Sequence, residues 1–591
     1  MRERQSQYRL MRDLLIFAVR RRPAIVPAAI LGIASSIIEL LAMFSIVPLS
    51  ILASGQHIHN TILLGWAMRL GISLDAKLFV AVFLLLLLLR TATYVVAQVL
   101  IGYVGQNLMG DLSTRAFATF IRDLSFTEIH KHQIGHFVTL AGDEASRGSQ
   151  IVVSIMRLLP IVFLFALYGS VLLYQSREAF VCLAAFILFT GLFLRSAFRK
   201  SLSLGHRQQA ESRSAGTHFI ESLNGLRTVR SFTAEEFIIS RYADMMKRYT
   251  HTLFLVDAFS NLGQAPIFIA VATALVPVLL YFDNAWLLQH MPVIMAGVMI
   301  FFRLLPIASQ GLENVLKLAS NLKAGRNIAD MLHAARSIEC LSPLEDFPAT
   351  EKITSIEFDR VTFRYADDTP KVLDGFSSHF QSGKSYALIG PSGVGKSSLI
   401  DLLLKFFTPQ TGTIRINGQD ISRLSENSIR RHILLSEQVV RIFFGTILEN
   451  VQFGRSTSRA EAYKAFAMVG LEETLNALPG GADTILNFQG SNLSGGQRQR
   501  VGLARALAQT SDVLVMDEST NALDADTREQ VLESILNAYQ DRILIFVTHD
   551  PQVIARVDEV IELRAPADRL PLPSVISSEN SPFAFTEPVR N

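Results

Sequence analysis

Gly390-Pro391-Ser392-Gly393-Val394-Gly395-Lys396-Ser397 decides how this sequence is read. The apolar run Tyr386-Ala387-Leu388-Ile389 enters it, and the helix-like Ser398-Leu399-Ile400-Asp401-Leu402-Leu403-Leu404 leaves it. Buried strand, glycine turn and helix form the context a phosphate-binding loop requires, and a chance glycine-lysine match needs neither flank. Glycines let backbone N–H groups curl around a phosphate, and the helix turns its positive N-terminal end toward the same anion. Lys396 is placed to reach the β- and γ-phosphates and Ser397 to put a hydroxyl on Mg²⁺, with Ser398 beside them. The stretch therefore predicts binding of ATP or GTP.

Two further apolar runs deliver polar groups toward that loop. Val513-Leu514-Val515-Met516 ends in Asp517-Glu518 and reads as a buried strand presenting two acids at the C-terminal edge of a sheet. Asp517 is expected to hold Mg²⁺, and Glu518 to orient or deprotonate the water that attacks the γ-phosphate. Ile543-Leu544-Ile545-Phe546-Val547-Thr548 brings His549 to the same edge. A lone strand-end histidine is usually structural, but the Asp-Glu pair and the loop reverse that expectation. Between the runs, Leu493-Ser494-Gly495-Gly496-Gln497 opens a long helix and makes a second anion site. One nucleotide does not need two such sites in one chain, so the economical reading is that this one closes over the nucleotide of another copy. Tyr365, upstream of the loop, either stacks on adenine or is an ordinary strand-end aromatic.

The 591 residues allow several domains. Half of them are hydrophobic and 18% charged, more apolar than a soluble chain. A net charge of +3 gives no nucleic-acid face, so nucleic acid is not an expected partner. Cys182 and Cys340 lie far apart, suggesting neither a disulfide framework nor a zinc site. No cleavable signal peptide is evident.

The apolar excess lies in the first half. Hydrophobic segments at about 24–52, 78–108, 151–174, 178–198, 253–282 and 285–310 are each long enough to cross a bilayer, which needs about 20 helical residues. The long connections 109–150 and 199–252 are rich in Arg and Lys, which places them, both termini and the second half in the cytoplasm. Their patterns stay helical, so the spanning helices are expected to run on into them. Glu39, Arg90, Arg157, Asp257 and Arg303 fall inside the predicted spans. Such charges either line a polar pathway, with Arg90 and Arg303 attracting an anionic headgroup, or pair with one another. The domains expected are a cytoplasmic segment 1–23, a six-helix membrane bundle 24–325, a linker 326–352, an α/β P-loop domain 353–563 and a disordered tail 564–591.

The order of P-loop, glutamine loop, Leu-Ser-Gly-Gly-Gln, Asp-Glu and His resembles the ATP-binding cassette of ABC transporters. Six spans followed by one cassette looks like an exporter-type half-transporter, a resemblance covering about residues 15–563. It implies ATP and Mg²⁺ as cofactors and a head-to-tail dimer, in which Ser494 and Gly496, with Gly495 and Gln497, meet the nucleotide on the other chain's loop. By the same resemblance Gln438 is the glutamine that senses Mg²⁺, Tyr365 the adenine-stacking aromatic and His549 the switch histidine. Asn521-Ala522-Leu523-Asp524 matches the loop that crosses the interface. Glu221 to Arg230, followed by Glu235-Glu236, is similar to the second cytoplasmic loop of these exporters, and Phe126 through Gly135 to Asp143 to the first. Two departures stand out: Asn487-Phe488-Gln489 replaces the usual Gly-Glu, and Val439 follows Gln438 where an acid or amide is common.

The complete ATPase set favours a homodimer over a heterodimer. The implied activity is ATP-driven export or flipping of an amphipathic substrate, a lipid or lipid-linked oligosaccharide by the stretch around Glu39 and Ile46-Val47-Pro48-Leu49. Drug or peptide export and an ATP-gated channel are the alternatives. Starting just ahead of the first span, the sequence leaves no room for an N-terminal peptidase domain. By resemblance the expected location is a bacterial inner membrane.

Overall fold

The computed structural model describes residues 2–53, 76–124, 126, 129, 134–175, 177–262, 284–339, 345–348, 350–366, 368–521 and 523–564. The chain divides into two units, Met1–Leu124 with Glu128–Leu341, and Ser125–Thr127 with Ser342–Asn591.

The first unit is helical. Its long helices are α1 (Arg2–Arg21), α2 (Ile25–Ala53), α3 (Ala76–Ala118), α4 (Ala145–Gln175), α5 (Arg177–Asn224), α6 (Glu235–Leu262) and α7 (Asn284–Glu339). Among the described residues three stretches are long and apolar enough to cross a membrane: Ile25–Met43, Lys77–Arg122 and Gly135–Ser170. They cover the first three predicted spans. Residues 263–283 of the fifth lie outside the described residues, as do the side chains of the sixth up to residue 304, Arg303 included. On α3, Leu84, Leu85, Leu88, Val95 and Val99 are more than half exposed, the arrangement a lipid solvent permits and water does not. The opposite face packs inward: Ile101, Val104, Leu108 and Leu112 meet Ile151, Val152 and Met156 of α4 and Leu322 and Ile328 of α7. Small residues let helices approach, since a Cβ on Gly205 of α5 would lie 2.1 Å from the carbonyl oxygen of Ser320 on α7. As the basic connections predict, α3 and α5 run well past the apolar segments.

Residues 311–350 read in sequence as a mixed helix ending near Ile338-Glu339, so the segment 326–352 expected as linker begins as helix and ends within the globular unit. Helix α7 continues to Glu339 because Leu312, Leu316, Ala319, Ile328 and Met331 keep a buried helical stripe without a proline break. At the other end Phe347 is buried, donates its N–H to Ser428 Oγ at 3.0 Å and packs edge-on against His432, so the globular unit starts before residue 353.

The second unit holds strands β1 (Ser355–Phe363), β2 (Leu373–Gln381), β3 (Lys384–Ile389), β4 (Thr411–Ile416), β5 (Gln419–Asp420), β6 (Ile433–Ser436), β7 (Gly445–Thr446), β8 (Ile485–Leu486), β9 (Val513–Asp517), β10 (Ile543–Val547) and β11 (Glu559–Glu562). Ile356-Glu357-Phe358 and Val361-Thr362-Phe363, two strand-like runs in the sequence, are one strand, β1, bulged at Arg360, whose φ is +49°. An antiparallel sheet runs β2-β1-β4-β5 and a parallel one β11-β3-β10-β9-β6. Strands β3, β9 and β10 of the parallel sheet are buried on both faces, which is why they read as apolar runs. Val513, Val515, Ile543, Ile545 and Val547 point to one face, packing with Leu399, Leu402 and Leu403 of α8 (Lys396–Leu403). Leu514, Met516, Leu544 and Phe546 point to the other, packing with Val501, Leu503 and Ala504 of α9 (Gly495–Leu507). In the same unit the Phe126 ring lies 4.2 Å from that of Phe406.

Candidate nucleotide site

Parallel pairing fixes which side chains share the sheet's C-terminal edge. Val547 is in register with both Leu388 and Asp517, so the end of β3, the acids after β9 and Thr548-His549 emerge side by side. Between Ile389 and α8 the chain turns through Gly390, Gly393 and Gly395, with φ of +148°, +76° and +116°. Two of these positions exclude a side chain sterically as well. A Cβ on Gly390 would meet the Leu563 carbonyl oxygen at 2.6 Å, and one on Gly395 the Val372 Cγ1 at 2.9 Å. Pro391, Ser392 and Gly393 are exposed at the loop's crest, while Val394 is buried as its anchor.

Lys396 lies back across the loop. Its Nζ donates to the carbonyls of Gly390 (2.5 Å) and Pro391 (3.3 Å) and stands 3.1 Å from His549 Nε2. Glu518 is the most constrained residue of the site: φ is +45°, a left-handed conformation that a glutamate rarely adopts. Its N–H donates to Val547 O at 2.9 Å. The Oε2 atom accepts from Gln438 Nε2 at 2.6 Å and from Asn521 Nδ2 at 3.3 Å, while Oε1 lies 3.8 Å from His549 Nε2. Gln438, Glu518, His549 and Lys396 are therefore one connected cluster. Asp517 beside them is pushed up to about 6, first by burial and then by the Glu518 charge, with Lys396 opposing.

The site is chemically suited to a magnesium nucleotide. A side chain would meet nothing within 4 Å at Gly393, Ser397 is exposed, and burial with the Glu518 charge makes Asp517 costly to ionise, which a cation would relieve. Among the described residues no three His, Cys, Asp or Glu side chains could hold a metal by themselves. The ion would thus have to share its shell with phosphate oxygens, the ordinary habit of Mg²⁺.

The Tyr365 ring is partly exposed and packs edge-on against Phe363 and Phe407 at 4.9 and 5.2 Å. Its hydroxyl is 2.8 Å from Ser398 Oγ and donates to Asp401 at 3.4 Å, and burial raises its pKa. The second helix N-terminus is built differently. Ser494 caps α9: its Oγ accepts from the Gln497 N–H at 3.2 Å, and the Gln497 side chain accepts from the Ser494 N–H at 2.8 Å. Ser494 and Gly495 are exposed. Asp524 caps the helix Ala525–Ala538 through the Thr527 N–H at 3.0 Å, which holds its pKa low. Because α8 and α9 lie on opposite faces of one sheet, Ser494 and Gly496 are not brought to this chain's own phosphate loop.

Comparison with known proteins adds what geometry cannot. The family model described as the ABC transporter matches residues 373–521, and that of the ABC transporter transmembrane region matches residues 25–284. The chain belongs to the ABC transporters. The mitochondrial iron-sulfur clusters transporter ABCB7 of Rattus norvegicus is 31% identical over 493 residues, 79% of this chain and 63% of that protein. The chain thus spans less than two thirds of that relative's length. The ATP-dependent lipid A-core flippase of Desulfotalea psychrophila is 27% identical over 487 residues, 80% of this chain and 82% of that one. A bacterial Atm1-family ABC exporter solved with ATP bound shares the fold at a TM-score of 0.73, with 24% identity, over 92% of this chain and 94% of that one.

Three features of this ABC transporter's site escaped the sequence reading. Asp401, which faces the Tyr365 hydroxyl, sits one helical turn beyond Ser398, a spacing that could have flagged it. Asn521 was noted only as part of a loop, and no local pattern announces its bond to Glu518. The left-handed backbone of Glu518 has no sequence signal, since glycine would be the residue expected there.

Proposed function

We propose that this ABC transporter pairs with a second copy of itself and hydrolyses ATP at two composite sites to drive a substrate outward across the membrane. One observation carries the reading: the two nucleotide-type helix N-termini lie on opposite faces of the same sheet, so a complete site needs the exposed Ser494–Gln497 turn of another chain. Lys396 and the loop N–H groups would hold the β- and γ-phosphates, and Tyr365 would turn to the adenine. Ser397, Asp517 and Gln438 would hold Mg²⁺, which when bound neutralises phosphate charge. Glu518 positions the attacking water and takes its proton. The amides of Gln438 and Asn521 keep its carboxylate oriented, and His549 joins it to Lys396.

The bilayer-spanning first unit and the basic connections support an inner membrane location with the cassette in the cytoplasm. For the substrate, the lipid A-core flippase relative, most of whose length is matched, supports an amphipathic lipid or lipid-linked glycan. A cargo related to iron-sulfur clusters is the second reading, favoured by the 31% identity to ABCB7.

The Glu518→Gln protein, reconstituted and given Mg-ATP, tests the reading. It should form a dimer holding two nucleotides, as read by native mass spectrometry, while turnover falls by about 10²–10⁴-fold. Hydrolysis at the wild-type rate would remove Glu518 from its role, and a lone protomer under the same conditions would remove the composite site.

A further inference from the structure

Arg528 lies in the first turn of the helix Ala525–Ala538, away from the phosphate loop. A positive charge there opposes the helix dipole, and burying it adds a desolvation cost, so local structure alone does not favour an arginine. Its guanidinium nevertheless holds two loops at once. One nitrogen donates to the Leu523 carbonyl at 2.9 Å and another to the Asp550 carboxylate at 3.0 Å. The side chains of the pair are only 25% and 12% exposed. A buried ion pair is weak evidence for stability, and what a planar, two-pronged guanidinium supplies here is a fixed distance between the loops.

Both loops belong to the cluster around Glu518. The turn that ends at Leu523 begins with Asn521, whose amide donates to Glu518 Oε2 at 3.3 Å. Asp550 directly follows His549, and its N–H donates to Thr548 Oγ1 at 2.9 Å. The other oxygen of Asp550 accepts from the Gln552 N–H at 2.9 Å and caps the helix Pro551–Ile554. His549 itself is half exposed, so the backbone on either side of it sets where the imidazole stands. We infer that Arg528 is a positioning residue for ATP hydrolysis: it ties the turn carrying His549 to the turn carrying Asn521, and so holds the imidazole in register with Glu518 and Lys396. This rests on the roles given to Glu518 and His549 under the proposed function.

The test measures the ATPase of the full-length protein in nanodiscs across a range of Mg-ATP concentrations. Arg528→Gln and Asp550→Asn are each made alone and combined with His549→Ala. Each alone should lower kcat about tenfold, the worth of a charge-assisted hydrogen bond, and leave KM within about twofold, because neither group touches the phosphate loop. In the His549→Ala background neither should cost anything further, since the effect runs through the imidazole. A merely structural arginine would lower kcat by the same factor in both backgrounds. Asp550→Asn keeps the helix cap, so it carries the test if Arg528→Gln melts at a lower temperature. A wild-type kcat in Arg528→Gln or in Asp550→Asn, or an equal loss with and without His549, overturns the inference and leaves the composite site standing. A wild-type rate in His549→Ala overturns it together with the role proposed for that histidine.

Discussion

Asp517→Asn should stabilise the nucleotide-free protein at neutral pH, and the size of the effect can be worked out. Burial and the neighbouring Glu518 push the Asp517 carboxyl from 3.8 to about 6. The folded state therefore binds this proton more tightly than the unfolded chain does between those values. Stability from this group is greatest at low pH and is lost as pH rises to about 6, so above that the cassette carries the whole cost of an ionised, desolvated acid. The gap corresponds to at most ~3 kcal/mol, and solvent at this half-buried edge screens it to about 1–2 kcal/mol. For a unit of this size that is a rise of about 2–8 °C in melting temperature. Thermal unfolding of wild type and Asp517→Asn, both with EDTA, should show the rise at pH 7.5 and little of it at pH 4. With Mg-ATP the advantage should vanish, because the wild-type acid then has a cation to pair with. An equal rise at both pH values, or none at 7.5, refutes the reasoning.

Lys396→Ala should weaken ATP binding by about 10–100-fold, as measured by equilibrium titration, because the phosphates lose a charged donor. Retained tight binding would contradict its role. Co-expressed Lys396→Ala and Ser494→Ala chains should recover about a quarter of the wild-type ATPase, since half the dimers are mixed and each of these keeps one intact pair of half-sites. No recovery above the two single variants would mean that the signature turn serves its own chain. In the membrane half, Glu144 is fully buried and accepts from Arg213 (3.1 Å) and Asn327 (2.8 Å). Glu144→Ala should cost about 3 kcal/mol or more and lower the yield of folded protein, and an unchanged melting temperature would show the pair to be dispensable.

The chemistry of the cassette was legible because it is written in contiguous stretches. A P-loop, a strand ending in Asp517-Glu518 and a strand ending in His549 each announce themselves, and parallel pairing then has little choice but to bring them to one edge. What stayed hidden depends on partners distant in sequence. The Glu39–Arg90 ion pair (2.9 Å) joins two helices, so sequence could state pairing only as an alternative to a pathway. Gln497 was read as meeting nucleotide and Asp524 as part of the interface loop; the side chains of both also serve as helix caps, a competition that residue type alone does not reveal. The stretch from residue 326 was set down as linker although its pattern reads as a mixed helix to near Ile338-Glu339, and α7 keeps a buried stripe there because it exchanges lipid for protein neighbours.

The strand order β11-β3-β10 has a bearing on how the protein is made. Strand β3 carries the phosphate loop, but both strands that flank it, β10 and β11, come from the far end of the cassette, and Gly390 is fitted against the carbonyl of Leu563. A nascent chain that has emerged only as far as residue 540 has already displayed Gly390 to Ser397, yet has no neighbour on either side of that strand. The loop can then take its shape only near the end of synthesis, when pairing across a long sequence separation becomes available. ATP in the cell thus meets a finished cassette, and ribosome-stalled intermediates should bind none.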